Sequence, residues 1–188
     1  MDEKDRTIIA ILQKDGRAKL SEIAKQVGIT VMGVKKRVEK LYKSKIIKSK
    51  ALVNTRKLNI MTAIILMELK NAKSLEKIIK KFEKCPRIIK FFVTTGRFNL
   101  FALVFAEDYH SLESISLEKC SLRNQEGVMR FEFYPIQEIH YDPFLDIKVT
   151  PNKNRDIAPC GVYCGTCNRY KDYRCLGCPA TKFYRGNL

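Results

Sequence analysis

The sequence is poor in acidic residues, in histidine and in long apolar runs, and it has no tryptophan. Only 20 of the 188 residues are Asp or Glu, against 36 Lys or Arg, so the net charge is +16. Apolar runs such as Ala63–Met67 are too short to cross a bilayer, which needs about 20 residues. The polar N-terminus, Met1–Asp5, lacks the basic-then-apolar plan of a secretory signal. We therefore expect a cytoplasmic protein.

The positive charge is concentrated at the two ends of the chain. Residues 1–60 carry a net charge of +10, residues 61–145 carry +1 and residues 146–188 carry +5. The hydrophobic content of 45% is that of a folded protein with real cores. A strongly basic N-terminal region on a globular chain indicates a polyphosphate partner such as double-stranded DNA.

The stretch Leu20–Tyr42 has the pattern of two short helices joined by a tight turn. Ser21 is a candidate N-cap for the first helix, Gly28 suits the left-handed residue that ends it, and Thr30 can cap the second. Within the second helix, one apolar side is formed by Val31, Val34, Val38 and Leu41. The pattern is typical of a helix-turn-helix whose second helix enters a DNA major groove.

The outer face of this second helix carries the candidate DNA contacts. It is basic, whereas the opposite side is apolar. The residues that we expect to meet DNA are Met32, Gly33, Lys35, Lys36, Arg37 and Lys40. The alternative is an ordinary helical hairpin with a solvated basic face, but spacing and charge together favour DNA.

The periodicity predicts an α+β protein. Residues 1–45 form a three-helix unit with a first helix over Asp5–Lys14, and residues 46–60 form a strand or extended linker. Residues 61–145 follow in the order strand-helix-strand-strand-helix-strand, a ferredoxin-like sandwich. The strands are predicted at 62–69, 88–95, 100–105 and from 127 onward, and the helices at 74–84, capped by Ser74, and 109–119. One sheet face should stay open, carry Phe131 and Phe133, and pair with a second copy in a homodimer.

The ordered set of segments over residues 1–141 resembles the Lrp/AsnC family of transcriptional regulators. The segments that carry the resemblance are Met1–Arg6 with Ile8, Leu12–Arg17, Leu20–Arg37, Ala51–Asn54 with Lys57 and Leu58, and Val93–Gly96. The resemblance implies that the helix-turn-helix binds DNA. It also implies that the second domain forms dimers, often octamers, and binds a small effector, frequently an amino acid, near a hairpin.

The hairpin departs from the family pattern. Family members commonly read Gly-Asp-Tyr-Asp, whereas this chain reads Gly96, Arg97, Phe98 and Asn99. Both acidic positions are absent, so a pocket that pairs a carboxylate with an effector amine would be lost. We predict no strong response to ordinary amino acids and a preference for an anionic ligand.

Five cysteines lie within the nineteen residues 160–178, spaced C-x3-C-x2-C-x7-C-x2-C. Two C-x2-C pairs are the spacing at which both thiolates of a pair reach one metal. The candidate ligands are Cys160, Cys164, Cys167, Cys175 and Cys178. Zinc, our first choice, takes four thiolates, and so does the alternative, a [4Fe–4S] cluster. Within this tail, residues 146–188, the stretches Ala158–Cys164 and Cys175–Cys178 also resemble a small cysteine-rich domain of unassigned function that is thought to bind metal.

Other interpretations of the cysteines and histidines are weaker. The C-x3-C-x2-C spacing occurs in radical S-adenosylmethionine enzymes, but those need a barrel behind the motif, and only ten residues follow Cys178. A tail of free thiols is the remaining alternative. Cys85 and Cys120 stand alone and are predicted to be packing residues. His110 and His140 are predicted to be surface or hydrogen-bonded residues rather than ligands.

We therefore predict a DNA-binding regulator rather than an enzyme, with a tail that is structural or that senses metal or redox state. The main alternative is an enzyme, because sirohaem decarboxylases share this two-part architecture. Their tetrapyrrole site needs His and Arg, for which His110, His140, Arg97 and Arg130 are the candidates, although their spacing does not indicate such a site. A nonspecific chromatin-like protein is the third possibility.

Overall fold

The chain folds into two compact units, Met1–Ala51 and Leu52–Leu188. The structure is a computed structural model that describes all 188 residues. The first unit contains only helices, whereas the second contains both sheets. None of the helices is long and apolar enough to cross a membrane. The three N-terminal helices are α1 over Glu3–Lys14, α2 over Leu20–Val27 and α3 over Val31–Lys43.

Local capping explains where these helices begin and end. The Asp2 side chain accepts from the backbone N–H of Asp5, and the Asp5 side chain accepts from that of Asp2, so α1 starts with a complete capping box. Gly28 ends α2 at φ 69°, in the left-handed region, as predicted. Thr30 caps α3 by accepting from the N–H of Gly33. The predicted N-cap Ser21 is wrong, because α2 begins at Leu20 and its N-cap is Lys19.

A small apolar cluster holds the three helices together. Its five buried members come from all three helices: Ile8, Ile23, Ala24, Val34 and Leu41. The predicted apolar stripe of α3 is therefore correct at Val34 and Leu41. Val31, the first residue of α3, is an exception, because it stays 48% exposed.

The second unit contains a four-stranded antiparallel sheet with two helices packed on one face. The strands are β2 over Met61–Leu69, β3 over Ile88–Val93, β4 over Leu100–Ala106 and β5 over Val128–Ile136. They lie in the order β3-β4-β2-β5, which is the predicted ferredoxin-like arrangement. β5 is an edge strand, where Pro135 can be tolerated. The N-cap of the first helix is Asn71 rather than the predicted Ser74. The two helices are α4 over Ala72–Phe82 and α5 over Tyr109–Leu117.

The register of the sheet corrects one prediction. Phe133 pairs with Ile65 and Phe131 with Met67, and Ile65 and Met67 are buried under the helices. Paired residues share a face, so both phenylalanines pack into the core instead of the open face. The open face is nonetheless apolar. Its larger side chains are Ile64, Leu66, Phe92, Phe101, Leu103 and Tyr134, of which Ile64, Phe92 and Tyr134 are exposed.

Residues 46–54, the first part of the segment predicted as a strand or extended linker, are almost entirely irregular and so agree with the linker alternative. Only their C-terminal end enters a short antiparallel pair, β1 over Val53–Asn54 with β6 over Phe144–Leu145. This ribbon and Ile147 help to bury Phe105 in a third apolar cluster. One end of the sheet is thereby covered by chain segments from both sides of the ferredoxin-like domain.

The tail is packed against the ferredoxin-like domain and belongs to the same compact unit. Ala158 and Cys160 are members of the buried cluster that contains Ile78, Phe82 and Leu112. The predicted boundary at residue 145 is therefore not a boundary between compact units. The physical reason is that the tail has few apolar residues of its own and completes the core of its neighbour. Its regular structure is limited to a 3-10 turn at Cys164–Thr166 and one helical turn, α6, at Asn168–Lys171.

Candidate functional site

The outer face of α3 presents two unpaired lysines. Lys36 and Lys40 are exposed, one turn apart, and their side chains form no hydrogen bond or ion pair within the chain. Lys35 lies on the flank, with its Nζ 4.0 Å from Oε1 of the exposed Glu39. Met32 is exposed at the start of the helix. The surface is therefore cationic, solvated and available to a polyanion.

Arg37 has a different role in the structure. Its Nη1 donates to Asp2 Oδ2 and to Asp5 Oδ1, both at 2.7 Å. The Arg37 guanidinium is the main reason why the pKa of Asp5 is lowered, and it adds to the backbone hydrogen bond that lowers the pKa of Asp2. The same contacts raise the pKa of Arg37. Arg37 thus joins α3 to the N-terminus of α1, whereas the sequence predicts a DNA contact.

Gly33 supports the start of α3. It donates its N–H to Thr30 Oγ1 at 3.1 Å, and a Cβ at this position would lie 3.2 Å from the same oxygen. A side chain here would therefore crowd the cap. This steric constraint is a structural reason for glycine at a position where the sequence predicts contact with DNA.

The hairpin between β3 and β4 uses its polar groups within the domain. The Asn99 side chain accepts from the N–H of Leu69 and donates to its carbonyl oxygen, both at 2.9 Å. Arg97 Nε lies 3.3 Å from Glu68 Oε2, and Arg130 Nε lies 3.2 Å from the same oxygen. Two arginines therefore share one carboxylate, which leaves a local excess of positive charge at the predicted effector site.

A cavity of about 250 Å³ in the second unit is lined by every cysteine of the chain. Five come from the tail, while Cys85 follows α4 and Cys120 follows α5. The prediction that Cys85 and Cys120 are packing residues is confirmed, because both pack against the main buried cluster. They do not stand alone, however, since both also line this cavity. No signal in the local sequence could have revealed the convergence, because both residues are distant from the C-x2-C pairs along the chain.

Burial dominates the chemistry of these thiols. It raises the pKa of Cys85 to about 11 and that of Cys178 to about 12, and it raises those of Cys120, Cys160 and Cys164. The thiols are also close enough to affect one another electrostatically: Cys120 is influenced by Cys160, Cys175, Cys164 and Cys85. Without a cation, so many neighbouring thiolates would repel.

Backbone amides are already directed at several of the sulfurs. The N–H of Gly177 donates to Cys175 Sγ at 3.4 Å. Amides two residues further along the chain also act on Cys85, Cys160 and Cys178, where they partly offset the effect of burial on the pKa. Such hydrogen bonds favour the thiolate, which is the form that binds metal. As they stand, no three His, Cys, Asp or Glu side chains are arranged to hold a metal ion.

Two arginines fix the walls of this cavity. The buried Arg87, just before β3, forms an ion pair with Glu107 and donates from Nη2 to the Gly177 carbonyl at 3.0 Å. Arg169 of α6 forms an ion pair with Glu113 of α5, and its Nε donates to Ser114 Oγ at 2.8 Å. The tail is therefore tied by charged groups to the sheet and to α5.

Two family models match this chain. An AsnC-type helix-turn-helix domain matches residues 1–42, and the Lrp/AsnC ligand binding domain matches residues 62–143. The chain belongs to the Lrp/AsnC family. It is an AsnC/Lrp-type transcriptional regulator, and family membership implies DNA binding and oligomerisation through the ligand binding domain. The comparisons give no support to the sirohaem decarboxylase alternative.

Curated Lrp/AsnC relatives are similar over most of their own length. Regulatory protein AsnC of Haemophilus influenzae is 35% identical over 124 residues, which is 65% of this chain and 83% of that protein. HTH-type transcriptional regulator FL11 of Pyrococcus furiosus is 33% identical over 130 residues, which is 68% of this chain and 85% of that protein. The relatives are named as transcriptional regulators, which agrees with the prediction that this protein is not an enzyme.

Solved Lrp/AsnC structures share the fold. Escherichia coli AsnC superposes with a TM-score of 0.66 at 24% identity, over 75% of this chain and 95% of that one. A Neisseria meningitidis transcriptional regulator, solved as a complex with L-Met, gives 0.67 at 22%, over 76% of this chain and 94% of that one. The Lrp/AsnC models end at residue 143, so all five tail cysteines lie outside them.

Proposed function

We propose that this Lrp/AsnC regulator contacts duplex DNA through the outer face of α3, with Lys36 and Lys40 as the principal cationic residues. The observation that carries the proposal is that both lysines are exposed and have no partner within the chain. Met32 and Lys35 flank them on the same helix. Arg37 and Gly33 act by holding the helix in place, because their polar groups are already engaged.

The test is a footprint at the promoter of the protein's own gene. Lys36→Glu should abolish specific binding without changing the thermal melt, because the side chain lies outside the apolar cluster. Lys80→Glu, an equal charge change at an exposed position of α4, is the control and should bind normally. Each of Lys36→Ala and Lys40→Ala should flatten the slope of log affinity against log salt by about 0.9. Unchanged affinity and slope in both variants would exclude α3 as the helix that contacts DNA.

We propose that the open face of the sheet pairs with a second copy to form a homodimer. The exposed Ile64, Phe92 and Tyr134 support this assembly, because contiguous apolar residues on a sheet face favour burial. A two-fold dimer requires pseudo-palindromic sites with half-sites about 10 base pairs apart or a multiple of that spacing. Light scattering should give a dimer, or an octamer by further assembly. Ile64→Glu should lower the mass, and a monomeric wild type at micromolar concentration would refute the proposal.

We propose that the effector site at Gly96, Arg97, Phe98 and Asn99 favours an anion over an ordinary amino acid. Arg97 and Arg130 share the single carboxylate of Glu68, and the Asn99 amide already accepts from and donates to the backbone of Leu69. No carboxylate of the hairpin is left to pair with an effector amine. In a thermal-shift screen, anionic ligands should raise the melting temperature more than ordinary amino acids do. Strong stabilisation by leucine, lysine or glutamine would contradict this proposal.

We further propose that the tail cysteines hold a metal, zinc or a [4Fe–4S] cluster, and that metal or redox state modulates DNA binding. Five thiols and the amides directed at their sulfurs fit a thiolate-bound metal. The thiols would stay reduced in the cytoplasm, where we expect the protein to act. Metal analysis and a visible spectrum after anaerobic purification are the test. The absence of any metal, with five freely titrating tail thiols, would refute the proposal.

A further inference from the structure

An open concavity beside α3 combines basic and acidic side chains. It is lined by Met1, Asp2, Asp5, Gly33, Lys36, Arg37 and Lys40. The members from α3 follow one another at the spacing of a single helical face. The N-terminus of α1 lies against that face, because Arg37 Nη1 donates to Asp2 Oδ2 and Asp5 Oδ1, both at 2.7 Å. Two carboxylates therefore stand beside the lysines that are proposed to contact DNA.

The two carboxylates differ in exposure. The Asp5 side chain is 14% exposed, whereas the Asp2 side chain is 54% exposed. Ion pairs in solvent contribute little to stability, so Asp5 is the main structural partner of Arg37. The exposed Asp2 carboxylate lies in the concavity that a phosphate bound to the lysines of α3 would approach.

Capping of α1 does not require the charge of Asp2. The cap uses one carboxylate oxygen, Oδ1, which accepts from the N–H of Asp5 at 2.9 Å. Asparagine and serine supply such an acceptor without a charge. An acidic group that favours the dipole of α1 is also present in the first turn at Glu3, which is exposed. The charge of Asp2 therefore acts mainly on Arg37 and on the cationic surface around it.

We propose that Asp2 restrains the attraction of α3 for DNA phosphates and thereby lowers sequence-independent binding. This inference rests on the proposed DNA contact through Lys36 and Lys40. Sequence-independent binding comes almost entirely from neutralisation of phosphates, and the Asp2 carboxylate offsets part of the cationic charge that provides it. Base contacts, which carry the sequence information, do not need that cationic charge. Asp2 is thus a repulsive element of the kind that specific recognition uses.

The experiment measures binding of the full chain to a duplex of arbitrary sequence over a range of salt concentrations. Asp2→Asn keeps the capping oxygen and removes the charge, so it should tighten binding about 2- to 5-fold. It should also steepen the slope of log affinity against log salt by about 0.9. Glu3→Gln is the matched control, because it removes an equal charge from the start of the same helix but outside the concavity. It should leave affinity and slope near the wild-type values.

A second pair of measurements keeps the test independent of one variant. Asp2→Ser also supplies an N-cap and replaces Asp2→Asn if that variant does not fold, as judged by circular dichroism. When Lys36 and Lys40 are both changed to alanine, the gain from Asp2→Asn should be lost, since phosphates are no longer drawn to the concavity.

Three results would overturn this inference and leave DNA contact through α3 intact. They are unchanged binding in Asp2→Asn, an equal gain in Glu3→Gln, and a gain from Asp2→Asn that persists in full without the two lysines. If replacing Lys36 and Lys40 does not weaken binding at all, both this inference and the proposed DNA contact are wrong.

Discussion

The N-terminal unit and the tail are both basic, but they use their charge differently. Exposed lysines such as Lys36 and Lys40 have no partner within the chain. Most tail cations are engaged: Arg169 with Glu113, Lys182 with Asp156, and Arg185 with the ring of Tyr170, 3.9 Å from its centroid. Net charge by itself therefore does not distinguish a surface of unpaired cations in the N-terminal unit from a set of internal attachments in the tail.

The two regions also differ in what stabilises them. The N-terminal helices bury their own cluster around Ile8, Ile23 and Val34. The tail contributes Ala158 and Cys160 to the core of the ferredoxin-like domain and is held there by Arg87 and Arg169. The helix-turn-helix is thus stabilised from within its own unit, whereas the position of the tail depends on its neighbour.

The largest effect should come from removing the buried arginine that the tail depends on. Arg87→Ala leaves Glu107 without its cation and the Gly177 carbonyl without a donor, so we expect a loss of about 3–5 kcal/mol in the stability of the second unit. Thermal melts and limited proteolysis of residues 146–188 measure this effect. Arg174→Ala, which removes a more exposed arginine at 4.0 Å from Glu113, should cost about 0–1 kcal/mol. Equal effects of the two variants would contradict the assigned role of Arg87.

Ile8→Ala should affect the N-terminal unit alone. It removes a fully buried side chain and should cost about 2–5 kcal/mol of local stability. Hydrogen exchange should increase across Met1–Ala51, and DNA binding should be lost, while the second unit keeps its protection. A parallel loss of protection in both units would show that the units do not unfold independently.

Arg37 and Lys36 provide a sharper comparison within α3. Arg37→Ala should increase hydrogen exchange in α1 and α3 and weaken DNA binding, because it separates α3 from Asp2 and Asp5. Lys36→Ala should weaken DNA binding without changing exchange. If Arg37→Ala instead leaves exchange unaltered and reduces the salt slope by about 0.9, Arg37 contacts DNA directly in the complex.

The smallest expected effect is a response to acid in the N-terminal unit. Asp2 and Asp5 have lowered pKa values in the folded state, so their contribution to stability is complete above the unfolded value of about 3.9. It is lost as the pH falls through the lower folded values. Exchange in α1 should therefore rise below pH about 4 in wild type. In Arg37→Ala this rise should be smaller. Identical pH profiles of exchange in wild type and in Arg37→Ala would refute the role of the Arg37 contacts with Asp2 and Asp5.

Local features were predictable because neighbours in sequence determine them. Gly28 ends α2 with a left-handed residue, and Thr30 caps α3 as expected. The alternation and turn signals of residues 61–145 gave the correct order of strands and helices. The predicted N-caps Ser21 and Ser74 are wrong because both helices begin earlier in the chain. The N-cap of α2 is Lys19, two residues before Ser21, and the N-cap of α4 is Asn71, three residues before Ser74.

By itself, the sequence determined the two family domains, the basic recognition helix and the cysteine spacing, since each is encoded by residues within a few turns of one another. Only the tertiary structure decided what depends on distant pairs. Register turned Phe131 and Phe133 inward, although alternation alone does not say which face is buried. Asp2 and Asp5 engaged Arg37 from more than thirty residues away. Folding of the tail onto α5 brought Cys120 to the thiols of the tail, a proximity that no spacing along the chain records.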